Sequence, residues 1–329
     1  MNHRRRFLAS LGAGVLAVPF GALAQQAKIH RIGHLLYLSH RGFLDSGRHR
    51  ALIQGMADLG YVEGKSFVME DRFADGKVDL LDGFAAELVQ LKVDLILSTG
   101  TPAHHAAQRA TRTIPIVVMS DADPVGNGLA ASLARPGGNI TGMSTSAAEL
   151  APKLVELLTA ALPKLSRIAV LANPGNRAHP PVLPRVKAAA QKGGRHVFQV
   201  GARSSEDIGR AFATMVRERA DAVLILIDGF FFQQRQQIAE LALKHRLASI
   251  YPASGYAEAG GLMNYGSDLN DNYRHAAIFI DKILKGAKPG ELPFEQPTRF
   301  HLEINRKTAS ALGIKVPQEL LLRTHKVIE

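Results

Sequence analysis

The sequence predicts an α/β protein of two lobes, each a parallel sheet wound with helices on both faces. Short apolar runs alternate with amphipathic stretches of ten or more residues, as a doubly wound sheet requires. That rhythm breaks at the Pro- and Gly-rich stretch 133–142 and then restarts. The 329 residues are enough for two domains of ordinary size.

Along the chain, 30–38 reads as a strand and 47–60 as a helix carrying Leu52, Met56 and Leu59 on one face. A second strand alternates over 66–70, followed by an amphipathic helix over 80–91. A buried strand (93–98), a helix (102–111) and another strand (114–119) complete the first half. Pro136, Gly137, Gly138 and Gly142 exclude a helix in the next segment, so the chain turns or crosses over there and a lobe boundary falls near 143. After it come helix 151–162, strand 167–171, helix 182–192, strand 196–200, helix 206–219, strand 222–227, helix 233–245 and strand 248–251. Two similar α/β units in one chain suggest lobes facing each other across a cleft.

Residues 1–24 read as a cleaved export signal. Arg4, Arg5 and Arg6 precede an uncharged stretch, and Ala22-Leu23-Ala24 supplies a cleavage triplet before Gln25. The arginine pair followed by x-Phe7-Leu8 fits the twin-arginine version, whose cargo crosses already folded. A soluble periplasmic protein is expected, since no later stretch is long and apolar enough for a membrane span. The absence of cysteine excludes disulfides, thiolate metal sites, a cysteine nucleophile and a lipid-modified cysteine. The net charge of +11 is scattered, with no block of five or six like charges, so no nucleic-acid partner is expected.

Ligands of open α/β sheets sit beyond the carboxyl ends of strands, and candidate side chains stand at those ends. Ser39 follows the first strand. In Ser98-Thr99-Gly100-Thr101-Pro102, Thr101 is a natural N-cap and Pro102 suits the first helical turn, while hydroxyls and free amides suit an anion. Capping and ligand binding can coexist there. Asp121 and Asp123 either hold a ligand ammonium or cap their own turn. In the second half Asn173, Asn176 and Asp228 occupy the matching ends; Asp228 is another candidate for the ammonium and Phe231 for packing on an apolar ligand body. No Gly-x-Ser-x-Gly, Walker loop, Gly-x-Gly-x-x-Gly or His-Glu-x-x-His occurs, so neither catalysis nor a cofactor is expected. His104 and His105 project about 100° apart on a helix and do not make a chelate, and no metal is expected.

Five stretches resemble one family: Tyr61-Val62-Glu63-Gly64; Asp123-Pro124-Val125-Gly126; Leu133 through Gly142 (LARPGGNITG); Glu258 through Met263 (EAGGLM); and Asp281 through Pro289 (DKILKGAKP). The family is the ABC-transporter substrate-binding proteins of the tryptophan/tyrosine-uptake type, and the resemblance runs from about Arg31 to the C-terminus. It implies a type I periplasmic-binding fold of two Rossmann-like lobes joined by three crossovers. Lobe 1 would comprise 28–143 plus 263–296, and lobe 2 would comprise 144–262 plus 297–329, ending with a strand over 300–305 and a helix. Ser254-Gly255-Tyr256 stands where many relatives carry larger and charged residues, which makes Tyr256 a further candidate, and the chain has no tryptophan for stacking.

The expected function is a periplasmic receptor that binds a small amino acid, or an aromatic or branched carboxylate, between its lobes. It would deliver that ligand, as a monomer, to an ABC permease in the inner membrane. An envelope sensor presenting occupancy to a membrane receptor is the alternative within the same fold. A hydrolase would need two of Asp121, Asp123 and Asp228 to converge on one bond.

Overall fold

The computed structural model describes residues 28–329, so the export signal read at 1–24 lies outside the described residues. The first half folds as β1 (His30–Leu36), α1 (His40–Asp45), α2 (Arg48–Asp58), β2 (Phe67–Phe73), α3 (Val78–Gln90), β3 (Leu95–Thr99), α4 (Thr101–Ala110), β4 (Ile116–Asp121) and β5 (Ile140–Ser144). Next come α5 (Ala147–Ala161), β6 (Arg167–Ala172), α6 (His179–Gln191), β7 (His196–Gly201), α7 (Ser205–Arg217), β8 (Ala222–Ile225), α8 (Gly229–Gln233), α9 (Arg235–Lys244) and β9 (Ala248–Tyr251). The chain ends with β10 (Met263–Gly266), α10 (Leu269–Leu284), β11 (His301–Asn305), α11 (Arg306–Leu312), α12 (Gln318–Leu322) and β12 (Lys326–Ile328).

Two sheets result, with strand orders β2-β1-β3-β4-β5 and β12-β11-β10-β9-β8-β6-β7. The first is parallel throughout, and the second is parallel from β7 to β10 before β11 runs antiparallel to β10. Central strands such as β3 (LILST) and β8 (AVLI) are buried along their whole length, as parallel strands covered on both faces must be. The order 2-1-3-4-5 recurs as 7-6-8-9-10, so each sheet reverses its winding beside its first strand. At such a switch point the helices leave in opposite directions and open a crevice at the strand ends. The two crevices face each other.

Two of the sequence-derived boundaries shift. Strand β5 begins at Ile140, inside the stretch read as turn, because Gly142 (φ +146) places its Cα where a Cβ would overlap the Val118 carbonyl of β4. The return to the first lobe expected at 263 falls four residues later, because β10 pairs with β9 in the second sheet and the chain crosses only through Ser267 and Asp268. Helix α10 then packs on α2, β4 and β5. Its contact with α2 centres on Gly55, where a Cβ would stand 2.3 Å from the Arg274 carbonyl oxygen.

One apolar cluster belongs to each lobe alone. A third runs from Leu38, Phe43 and Tyr273 of the first lobe into Phe231, Phe232 and Tyr256 of the second. The lobes are therefore apposed. Gln233 donates a 2.9 Å hydrogen bond to the Tyr37 carbonyl across the cleft, and a Cβ on Gly229 would lie 3.7 Å from the Gly100 Cα.

Candidate ligand cleft

A cavity lies at the facing strand ends, where open α/β sheets bind their ligands. The first lobe lines it with Leu38, Arg48, Thr99, Gly100, Thr101 and Tyr273. From the second lobe come Asp228, Gly229, Phe232, Ala253 and Tyr256. Of the residues singled out from sequence, Thr99, Thr101, Asp228 and Tyr256 reach it. Ser39, Ser98, Asp121, Asp123, Asn173, Asn176 and Phe231 do not.

Each of those seven has an identifiable occupation. Ser39 caps α1 by accepting from the Gly42 amide at 3.1 Å. The Ser98 hydroxyl is 2.8 Å from His104 Nδ1; since His104 Nε2 faces the Ser120 carbonyl at 3.2 Å and must donate to it, Nδ1 accepts and the Ser98 proton is spent there. Burial holds that imidazole neutral, its pKa lowered to about 3. Asp121 turns inward and accepts from the Asp123 amide and Asn127 Nδ2, both at 2.8 Å. Burial raises its pKa to about 6. Asp123 accepts from the Gly126 amide and closes its own turn. Ser120 and Ala122, flanking Asp121, reach the cavity instead. Phe231 is fully buried and points into the core, while Phe232 faces the cleft.

Asn173 and Asn176 support the site from behind. Both donate to Asp228 Oδ2, at 3.2 and 2.8 Å, while Oδ1 accepts from the Phe230 and Phe231 amides as the N-cap of α8. His179 ties this corner together, accepting from the Asn173 amide at Nδ1 and donating from Nε2 to the Ile227 carbonyl. The result is a carboxylate fixed at the cavity wall, and burial followed by its charge raises the Tyr37 hydroxyl to about 12.

Opposite stands a residue the sequence reading missed. Arg48 is 6% exposed, and among the described residues no carboxylate lies within salt-bridge distance of it. Its guanidinium stacks on Phe232 at 4.1 Å and lies 5.9 Å from the Tyr273 ring centroid, contacts that offset only part of the cost of burying a charge. Phe232 meets Tyr256 edge-on at 5.7 Å, and Tyr256 stacks on Tyr251 at 4.1 Å, forming an aromatic wall on the second lobe. Helical phase held a usable signal. Arg48 falls on the same face of α2 as Leu52 and Met56, where a charge is out of place unless it has work to do.

Helix α4 also starts differently from expectation. Gly100 is its N-cap, at φ +93 and ψ 136, and no side chain caps the helix; Thr101 is the first helical residue. Left-handed backbone that only glycine adopts cheaply is what turns β3 into α4 here. Of the three carboxylates from which a hydrolase would need two, Asp228 alone lines the cavity.

The family model for ABC transporter substrate binding proteins matches residues 32–328. A tyrosine-binding protein of Clostridioides difficile (strain R20291) is 26% identical over 266 residues, covering 81% of this chain and 76% of that protein. Among solved structures, a conserved domain protein from Vibrio cholerae superposes with a TM-score of 0.85 at 29% identity, covering 91% of this chain and all of that one. The ABC domain from Streptococcus pneumonia in complex with L-Trp gives 0.85 at 27% identity, covering 92% and 100%. A solute-binding protein from Agrobacterium vitis with bound allitol, at 16% identity and a TM-score of 0.59, shares the fold.

Proposed function

The chain belongs to the ABC transporter substrate binding proteins, and on that premise we propose that it is a periplasmic receptor for an amino acid with an apolar or aromatic side chain. One observation carries the choice of ligand. Two buried, opposite charges, Arg48 and Asp228, stand on facing walls of an otherwise largely apolar cleft. An α-amino acid presents the matching pair, a carboxylate for the guanidinium and an ammonium for Asp228. The aromatic wall of Phe232, Tyr256 and Tyr273 suits its side chain. Relatives described as tyrosine-binding and as bound to L-Trp support the same class.

The further expectations follow from this reading. Cleavage after Ala24 and twin-arginine export would place the mature monomer in the periplasm, where it hands its ligand to an ABC permease. No chemistry on the ligand is needed for that task.

A thermal-shift panel of L-tyrosine, L-tryptophan, L-phenylalanine, L-leucine, aromatic carboxylates and neutral sugars tests the ligand class. A ligand at a hundred times its dissociation constant adds about 2.7 kcal/mol of stability, several degrees of melting shift. We expect the amino acids to give it. A shift with a neutral sugar and with none of the amino acids or carboxylates would refute the charge argument.

A further inference from the structure

Behind the cleft wall, buried polar groups form a line. His34 of β1 is fully buried; its Nδ1 lies 3.4 Å from Asp71 Oδ1 on β2, a close electrostatic contact, and among the described residues neither atom has a hydrogen-bond partner. Its Nε2 lies 3.1 Å from Thr99 Oγ1, and Thr99 Oγ1 lies 2.7 Å from Tyr273 Oη. Tyr273 in turn borders both Arg48 and the cavity. We propose that His34, which does not touch the cavity, is a positioning residue that sets the direction of the hydrogen bonds through Thr99 and Tyr273. It thereby decides whether this wall offers a carboxylate ligand an acceptor or a donor.

Proton placement sets the direction of the line. An ionised carboxylate only accepts, so a proton on Nδ1 makes the contact with Asp71 attractive, whereas a lone pair there would make it repulsive. In neutral His34 the other nitrogen is then an acceptor; Thr99 donates to Nε2, Tyr273 donates to Thr99, and Tyr273 Oη turns only lone pairs toward Arg48 and the cavity. When Nε2 takes up one proton it must donate to Thr99 Oγ1. Thr99 then donates to Tyr273, and the Tyr273 O–H is free to point into the cleft. Each hydroxyl keeps one hydrogen, and the net change is one proton gained at His34. A ligand carboxylate meets repulsion from lone pairs in the first state and a hydrogen-bond donor in the second.

The ionisable groups around this line are Asp71 on β2, His40 on α1, His49 and Arg48 on α2, and Tyr273 on α10. His34, His49 and His40 all stabilise the charged form of Asp71 and hold its carboxyl below the ordinary range against the effect of burial. Phe43 seals the imidazole from one side at 5.3 Å between ring centroids.

The affinity consequence rests on the amino-acid reading above, whereas the tautomer does not, so two measurements separate the failures. Long-range proton–nitrogen NMR on the unliganded mature protein identifies the His34 tautomer, with His34→Gln or, should that variant not fold, the shifts produced by Tyr273→Phe assigning the signals. Neutral His34 is expected to carry its proton on Nδ1; a proton on Nε2 overturns the proposal. Calorimetric titration with L-tyrosine and L-tryptophan across a pH series is expected to give several-fold tighter binding at the acid end, with proton uptake. Tyr273→Phe, which keeps His34 but removes the terminal hydroxyl, should bind without that slope. A flat profile in the unmodified protein, or a slope that survives in Tyr273→Phe, contradicts the relay. If neither amino acid binds at any pH, the ligand reading fails and the NMR result still decides the tautomer.

Discussion

Arg48 occupies a position where helix α2 would ordinarily bury a leucine, and on the proposed reading the ligand's carboxylate is the partner of a charge that has no carboxylate beside it among the described residues. Arg48→Ala should therefore weaken amino-acid binding by about 2–5 kcal/mol, the range for truncating one member of a buried charge pair. The unliganded melting temperature should change little, because losing an uncompensated charge offsets the lost stacking on Phe232. Calorimetry beside thermal melting checks both, and intact affinity in the variant would remove Arg48 from the site. The residue-scale lesson about legibility follows from where each side chain originates. Thr99, Thr101 and Asp228 stand at or just past strand ends, and the rule that ligands bind there found them without any coordinates. Arg48, Phe232 and Tyr273 come from helices α2, α8 and α10. The side a helix turns to a cleft depends on how two lobes dock, which local sequence does not encode. Ser98 and Asp121 satisfied the strand-end rule equally well. His104 and Asn127 claim them from within, and no spacing in the sequence announces those partners.

Secondary-structure elements were most legible where they are long and buried. Strands β3, β6 and β9 declare themselves as apolar runs, whereas β5 hides behind Gly142 and β12 has only three residues. The junction of β3 with α4 shows how one residue governs two elements. Gly100 holds a φ of +93, and a Cβ there would stand 2.9 Å from the Tyr37 Cβ while its Cα already approaches Gly229 of the other lobe. Gly100→Ala is expected to lower the melting temperature, since left-handed strain of about 1–2 kcal/mol adds to the overlap. It should also weaken ligand binding, because the shift it forces on Tyr37 disturbs the hydrogen bond from Gln233 across the cleft. Thr101→Ala, in contrast, should leave unliganded stability nearly unchanged, because Thr101 caps nothing. A loss of about 1 kcal/mol in that variant would restore Thr101 as the N-cap.

At the scale of the molecule, the covalent links between the two sheets are 145–146, 267–268 and 296–300, while the cleft faces meet through Gln233–Tyr37, Arg48–Phe232 and the Gly100–Gly229 approach. Few cross-cleft hydrogen bonds, and a buried cation with no carboxylate partner among the described residues, leave the closed form dependent on what fills it. Ligand contacting both walls shifts that balance by its differential affinity for the closed state. Small-angle scattering should accordingly give a smaller radius of gyration at ligand saturation than without ligand, and an unchanged radius at proven saturation would contradict hinged closure. The late placement of α10 has a different consequence, which concerns synthesis. The faces of Leu52 and Met56 on α2 are covered by a helix made only after α5 to β10 of the second lobe. Neither lobe is a continuous stretch of chain, so the nascent N-terminal half waits with an uncovered apolar face, open to chaperones, until translation passes residue 284. A twin-arginine translocase, which admits finished cargo, would have nothing to accept before that point.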